Sequence, residues 1–213
     1  MVASTAFGWI PGLAACGTTG GAGPIIAFEL ARTPEAVRAL FGTEPCLSRF
    51  AQAQRDGLWL DLLGFIPAYS AFLALGALAL RPQVPRLALV TIAVILLAGL
   101  LDEIEGLVMF RILAALPGTP DLLQALFWSV RPKFALLGLG EILLALMLWR
   151  GPLLGKVAAG PLLAGGLVSI GFLFADPHSP TMMKAHSYAW MALLLAALVA
   201  SFRPALVARI VAR

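Results

Sequence analysis

Charge is scarce in this chain. Fifteen basic and eleven acidic residues make only 12% of its 213 residues charged, about half of the roughly 25% usual in a soluble domain. Cysteine and histidine number two each, and no CxxC or Cys/His spacing is present, which removes zinc-ribbon and dithiol readings. The chain also lacks a Ser/His/Asp order, a phosphate loop, a metallohydrolase pattern and a dinucleotide fingerprint, so no catalytic residues are assigned and no enzyme class is read from it. The net charge of +4 and pI near 9.6 do not indicate nucleic acid. Arginines flank apolar runs, as at Arg81-Pro82, Arg150 and Arg203-Pro204, with no basic stripe interleaved with aromatics. No Lys or Arg precedes Arg32, so no cleaved signal peptide is expected.

What is abundant is apolar: 61% hydrophobic residues and a mean hydropathy of +0.94. Runs long enough to cross a bilayer recur along the chain, and a lipid-embedded backbone must satisfy its polar groups within each segment. The expectation is an all-α polytopic transmembrane helix bundle forming one membrane domain over 1–213. Its six predicted spans lie near 5–30, 58–80, 87–110, 133–149, 155–175 and 185–202. Residues 31–57 are predicted to form a surface cap. Within it Thr33 caps a short helix, Pro34 opens it and Gly42 ends it, and a second piece runs from Leu47 to Asp56. Residues 117–132 read as a loop with an interfacial helix. Pro67 and Pro161 should kink or loosen their spans.

Gly8, Gly12, Cys16 and Gly20 recur every four residues in the first span. On a helix they form one small-residue stripe for close packing against another helix, and so a possible contact with a membrane protein partner. Cys46 lies in the following loop. A Cys16–Cys46 bridge would join two membrane depths if residue 16 is inside a span, so free thiols are expected. Leu13-Ala14-Ala15-Cys16-Gly17 also carries the small-residue pattern of a lipoprotein cleavage box.

The polar residues of the spans are the most informative. Leu101-Asp102-Glu103-Ile104-Glu105-Gly106 places three carboxylates in four positions, after fifteen apolar or neutral residues that follow Arg86. Each charged acid costs roughly 2.5–3.5 kcal/mol at a bilayer centre, so they must be paired, protonated, hydrated or near an interface. At a 1.5 Å rise per residue Asp102 lies roughly 22 Å across a core of about 30 Å. Glu29, Asp61, Asp102, Glu105, Arg111, Lys133 and, about 12 Å deeper, Glu141 then gather in one half of the membrane. Asp102 and Glu105 share a helix face and should meet Lys133 or Arg131, while Glu103 points about 100° away. Glu29, Asp61, Asp102, Glu105, Lys133 and Glu141 are the candidate ion- or ligand-binding residues.

Four segments carry a resemblance: Phe28-Glu29-Leu30-Ala31, Leu58-Trp59-Leu60-Asp61 with Ile66-Pro67-Ala68-Tyr69, the Asp102–Glu105 run, and Lys133-Phe134-Ala135-Leu136-Leu137. Over residues 20–149 the chain resembles a family of small bacterial polytopic membrane proteins with a D-x-x-E span followed by a K-F-A-L-L span. That resemblance implies that Asp61, Asp102, Glu105 and Lys133 belong together in a bacterial inner-membrane protein, and it brings no activity. Gly106 stands where the family pattern has a polar Asn.

The two histidines flank the start of the last span. His178, Met182 and His186 are spaced to share a helical face, and such side chains suit soft metals such as copper; interfacial histidines beside core methionines are the plainer reading. Ala185-His186 with Trp190 resembles the segment of bacterial light-harvesting polypeptides whose histidine ligates bacteriochlorophyll. No cofactor is assigned. Two functions therefore stand: an integral membrane protein binding an ion, proton or small ligand at the acidic/basic site, or a non-catalytic subunit of a membrane complex. An even number of spans and the acid-free basic connections put both termini in the cytoplasm.

Overall fold

Residues 5–30 contain six glycines and two prolines, and in a helix each glycine costs roughly 1 kcal/mol relative to alanine and each proline about 3 kcal/mol. In the computed structural model, which describes residues 5–207, this segment is accordingly not a continuous helix. It has a single 3-10 turn at Phe7–Trp9, an irregular stretch, and a short helix α1 (Pro24–Glu29). Gly12, Gly20, Gly21 and Gly23 have positive φ, the left-handed region that favours glycine. The expected first span and its stripe of Gly8, Gly12, Cys16 and Gly20 are therefore corrected: these residues share no helical face.

The protein is all-α, about 80% helical, a helical bundle with no strand among the described residues. After α1 comes α2 (Pro34–Phe41), started by Thr33, whose Oγ1 accepts from the Ala36 N–H at 3.2 Å. Five helices are long and apolar enough to cross a membrane: α3 (Cys46–Ala79), α4 (Pro85–Ala114), α5 (Pro120–Trp149), α6 (Leu153–Ala175) and α7 (Pro180–Phe202). Two of these begin well before the expected position. The piece from Leu47 to Asp56 is the first part of α3, and the loop predicted at 117–132 is mostly the start of α5, which continues through Pro132. The apolar periodicity hid both because the added turns are polar enough to resemble loops. Pro67 does not end α3. It follows a π-helical turn at Asp61–Phe65, where a looser turn absorbs the altered hydrogen bonding around a proline.

Contacts divide the chain into two units, with boundaries falling inside α3, α4 and α5 and after the first residue of α7. The described part of the first comprises 5–69, 99–133 and 176–180. Its core includes Phe28, Phe41 and Phe50, all fully buried, with ring centres 5.0 and 4.7 Å apart in sequence along the trio. Val37, Leu40 and Phe41 of α2 are buried, as their shared face requires. Gln54 Nε2 donates to the Pro24 carbonyl at 3.0 Å, tying α1 to α3. Arg55 donates to the Leu113 carbonyl at 3.1 Å, near the end of α4.

Cys16 and Cys46 are joined in a disulfide. The expectation of free thiols fails for one reason: residue 16 lies in the irregular segment before α1, not within a membrane helix, so no difference in depth separates the sulfurs. The bridge also uses the sulfur that a lipid anchor would need.

The second unit covers 70–98, 134–175 and the described residues from 181. Small residues do their packing here. A Cβ on Gly138 would lie 2.9 Å from the Gly166 carbonyl oxygen, and one on Gly166 would lie 2.4 Å from that of Gly138. The backbones of α5 and α6 touch at glycine, the usual close approach of helices in lipid. Along α4, Ala98, Asp102, Glu105 and Met109 are buried while Leu97, Leu100, Ile104 and Leu107 are exposed. The outward leucine and isoleucine face suits hydrocarbon, and the inward face carries the acids.

The bridge closes a segment of 30 residues, worth about 3.5 kcal/mol by loop entropy. Replacing Cys16 and Cys46 together by Ser should lower the thermal unfolding midpoint in detergent by several degrees. An unchanged midpoint would show that the cap is held without it.

Candidate functional site

Lys133 is the centre of the site. It lies on α5 directly after Pro132, its side chain is 3% exposed, and its ammonium meets three carboxylates from two other elements. Nζ donates to Glu29 Oε2 at 3.0 Å and to Asp102 Oδ1 at 3.0 Å. Its third ion pair, with Glu105 Oε2, is 2.7 Å long. Glu29 comes from the last residue of α1, and Asp102 and Glu105 come from one face of α4, three residues apart as a helix surface requires. All three are buried.

The second oxygen of Asp102 is also held. Tyr69 of α3 donates its hydroxyl to Asp102 Oδ2 at 2.7 Å, and Tyr69 is itself buried. Asp61, half-buried at the start of the π turn, lies within electrostatic reach of Asp102, Glu29 and Lys133. Four elements thus contribute to one cluster, all within the first unit.

Several expectations are met in the geometry and several are not. Asp102 and Glu105 face Lys133, Glu29 joins them, and Glu103 is half-buried outside the ion-pair set. Arg131 stands over an aromatic ring. Its guanidinium and that of Arg32 lie 5.2 and 4.4 Å from the centre of the Phe127 ring, a cation–π arrangement. Glu141 belongs to the second unit, where His186 Nδ1 lies 2.7 Å from Glu141 Oε1. A buried acid takes the nearest available hydrogen-bond donor, and α7 presents one.

His178 lies in the first unit beside Gly20, and His186 lies in the second. Met182 is buried. Among the described residues no group of three or more His, Cys, Asp or Glu side chains is arranged to hold a metal ion. Tyr69 was not among the expected site residues, although a hydroxyl two residues beyond Pro67 and near an acidic stretch was visible. Gly106 permits close packing rather than a polar contact: a Cβ there would sit 3.1 Å from Leu62 Cδ1.

The physical character of the cluster follows from its charge. One ammonium faces three carboxylates, a formal count of one positive to three negative. Burial of unpaired charge is expensive, and removing one partner of a buried pair typically costs about 3–5 kcal/mol. Comparison of the chain with known protein families, with curated proteins and with solved structures finds no match.

Two substitutions probe this arrangement. Lys133→Met should destabilise the protein by about 3–5 kcal/mol, because three acids are left facing one another; denaturation in detergent reads it, and a loss below 1 kcal/mol would contradict the geometry. Tyr69→Phe deletes one charge-assisted hydrogen bond and should cost about 1.5–3 kcal/mol.

Proposed function

We propose that this is an integral membrane protein that binds protons at the Lys133 cluster. The single observation that carries the reading is the imbalance of buried charge: Lys133 is ion-paired to Glu29, Asp102 and Glu105, with Asp61 nearby as a fourth acid. The excess negative charge calls for additional positive charge in a region where water is scarce. The lysine ammonium already occupies the centre that a metal cation would take. Protons are the species that can neutralise the remaining oxygens without further space.

Two signals support an orientation. Disulfides persist in oxidising compartments, which favours an extracytoplasmic position for the Cys16–Cys46 segment. With each of the five long apolar helices read as one crossing, Arg81, Arg86, Arg150, Lys156 and Arg203 fall at helix ends on the opposite side, with no acid in those connections. Arg209 and Arg213 follow there in the sequence and lie outside the described residues. Positive residues favour the cytoplasm. The N-terminal segment is then outside and the C-terminus inside, in place of two cytoplasmic termini, because the first expected span is not a helix. The accessory-subunit alternative drew on the small-residue stripe of that span and loses this support.

Proton binding is tested by infrared difference spectra of the purified protein as pH is lowered. The wild type should show new carboxylic-acid bands that are reduced in Asp102→Asn and in Glu105→Gln, with helicity retained. Bands identical to wild type, with only a lowered unfolding midpoint, would make the cluster a brace. A fluorescent reporter fused to the C-terminus should be active in the cytoplasm; activity only outside would reverse the orientation.

A further inference from the structure

The second unit contains a buried polar pair that the Lys133 cluster does not use. Over 70–98, 134–175 and 181–213, Glu141 is the only acidic residue and His186 the only histidine. Yet α5 and α7 bring these two together, with Nδ1 and Oε1 2.7 Å apart and relative exposures of 2% for His186 and 0% for Glu141. A lone acid and a lone imidazole meeting in an apolar unit is an arrangement that demands a physical explanation, because each is costly to bury by itself.

Only half of each group is satisfied. His186 Nε2 and Glu141 Oε2 are buried without a hydrogen-bond partner. Phe134 lies against one side of the imidazole with ring centres 6.1 Å apart, and Trp190 lies at the same distance at an angle. On the carboxylate side α6 offers bare backbone. A Cβ on Gly165 would fall 2.6 Å from Ala189 Cβ and 3.4 Å from Glu141 Oε2, and one on Gly166 would fall 3.3 Å from Glu141 Cβ. From the three helices around the pair, α5 contributes Glu141, α7 contributes His186 and α6 contributes glycine. Among the described residues neither group has another ion pair or hydrogen bond.

We propose that His186 and Glu141 form a proton-binding site separate from the Lys133 cluster, with the imidazole able to pass a proton between its two nitrogens. The ligand class follows from the space: glycine backbone and two aromatic rings close around the pair, and a proton needs no cavity. With Nδ1–H directed at Glu141, Nε2 carries the lone pair. A proton given up by hydronium, which leaves as water, forms an N–H bond at Nε2 and gives an imidazolium–carboxylate pair. Breaking the Nδ1–H bond towards Oε1 then yields neutral imidazole in its other tautomer and neutral carboxylic acid. One proton is gained overall, and no electrons are transferred. The relay uses the feature that distinguishes histidine from other bases, two nitrogens on opposite edges of one ring.

The site uses none of the residues around Lys133, so the two proposals stand or fall separately. The test uses the full chain carrying His178→Asn, which leaves His186 as the sole histidine, with nitrogen-15 in its ring. Ring-nitrogen NMR in lipid should show conversion between neutral and doubly protonated imidazole as pH is varied. Glu141→Gln, close in shape to the native side chain, should reduce the imidazolium signal at a given pH by roughly tenfold or more. Asp102→Asn should leave it in place. A ring that holds one protonation state and one tautomer across the whole pH range, or one that converts identically with Gln at 141, overturns the proposal. Should Glu141→Gln fail to fold, the carboxyl infrared band of Glu141 in the otherwise native chain decides: a band that tracks the ring conversion supports the relay, and an invariant band refutes it.

Discussion

Everything in the first unit is arranged around the need to bury one lysine ammonium. Lys133 sits on a helix apolar enough to cross a membrane, where an unpaired charge is costly. Its neutralisation recruits the end of α1 and one face of α4, and Tyr69 of α3 in turn holds Asp102. Such a network is weak evidence of stability in itself, since desolvation can exceed the Coulombic gain. Its strength is as a constraint. Each carboxylate has to arrive with the right rotation and depth, so the ion pairs specify which helix faces meet.

Glu29 is the unusual member because it comes from a six-residue helix of the N-terminal segment rather than from a long apolar one. Its position depends on contacts made well away from the ammonium: the Phe28, Phe41 and Phe50 cluster, the Gln54 bond to Pro24 and the Cys16–Cys46 bridge, whose closed segment contains it. The N-terminal segment thus supplies an acid to the buried cluster.

Much of this was legible from residue order. The spacing of Asp102 and Glu105 gave a shared face, depth along the chain pointed to Lys133 and Glu29, and the Thr33-Pro34 start of α2 followed from capping chemistry. What misled was hydrophobicity taken alone. The 5–30 segment has apolar residues enough for a span, but its glycines and prolines favour turns, and misreading that one segment also gave the wrong state for the cysteines. Glu141 was assigned by proximity in sequence to Lys133. A lone acid near a single buried histidine was the better signal, and it required knowing that α5 and α7 meet. Polar first turns made the beginnings of α3 and α5 look like loops.

The π-helical turn at Asp61–Phe65 has a consequence for register. Asp61 and Tyr69 are eight residues apart, which on a regular α-helix leaves them about 80° out of line at roughly 100° per residue. One residue absorbed in a wider turn reduces the effective spacing to seven and brings them to within about 20° of each other. The extra residue thus acts as a phase correction, aligning an acid and a phenol that the unbroken repeat would have aimed at different neighbours. A deletion that turns this wide turn into an ordinary α turn would keep the two in phase, whereas an insertion with no second wide turn would throw them out of it.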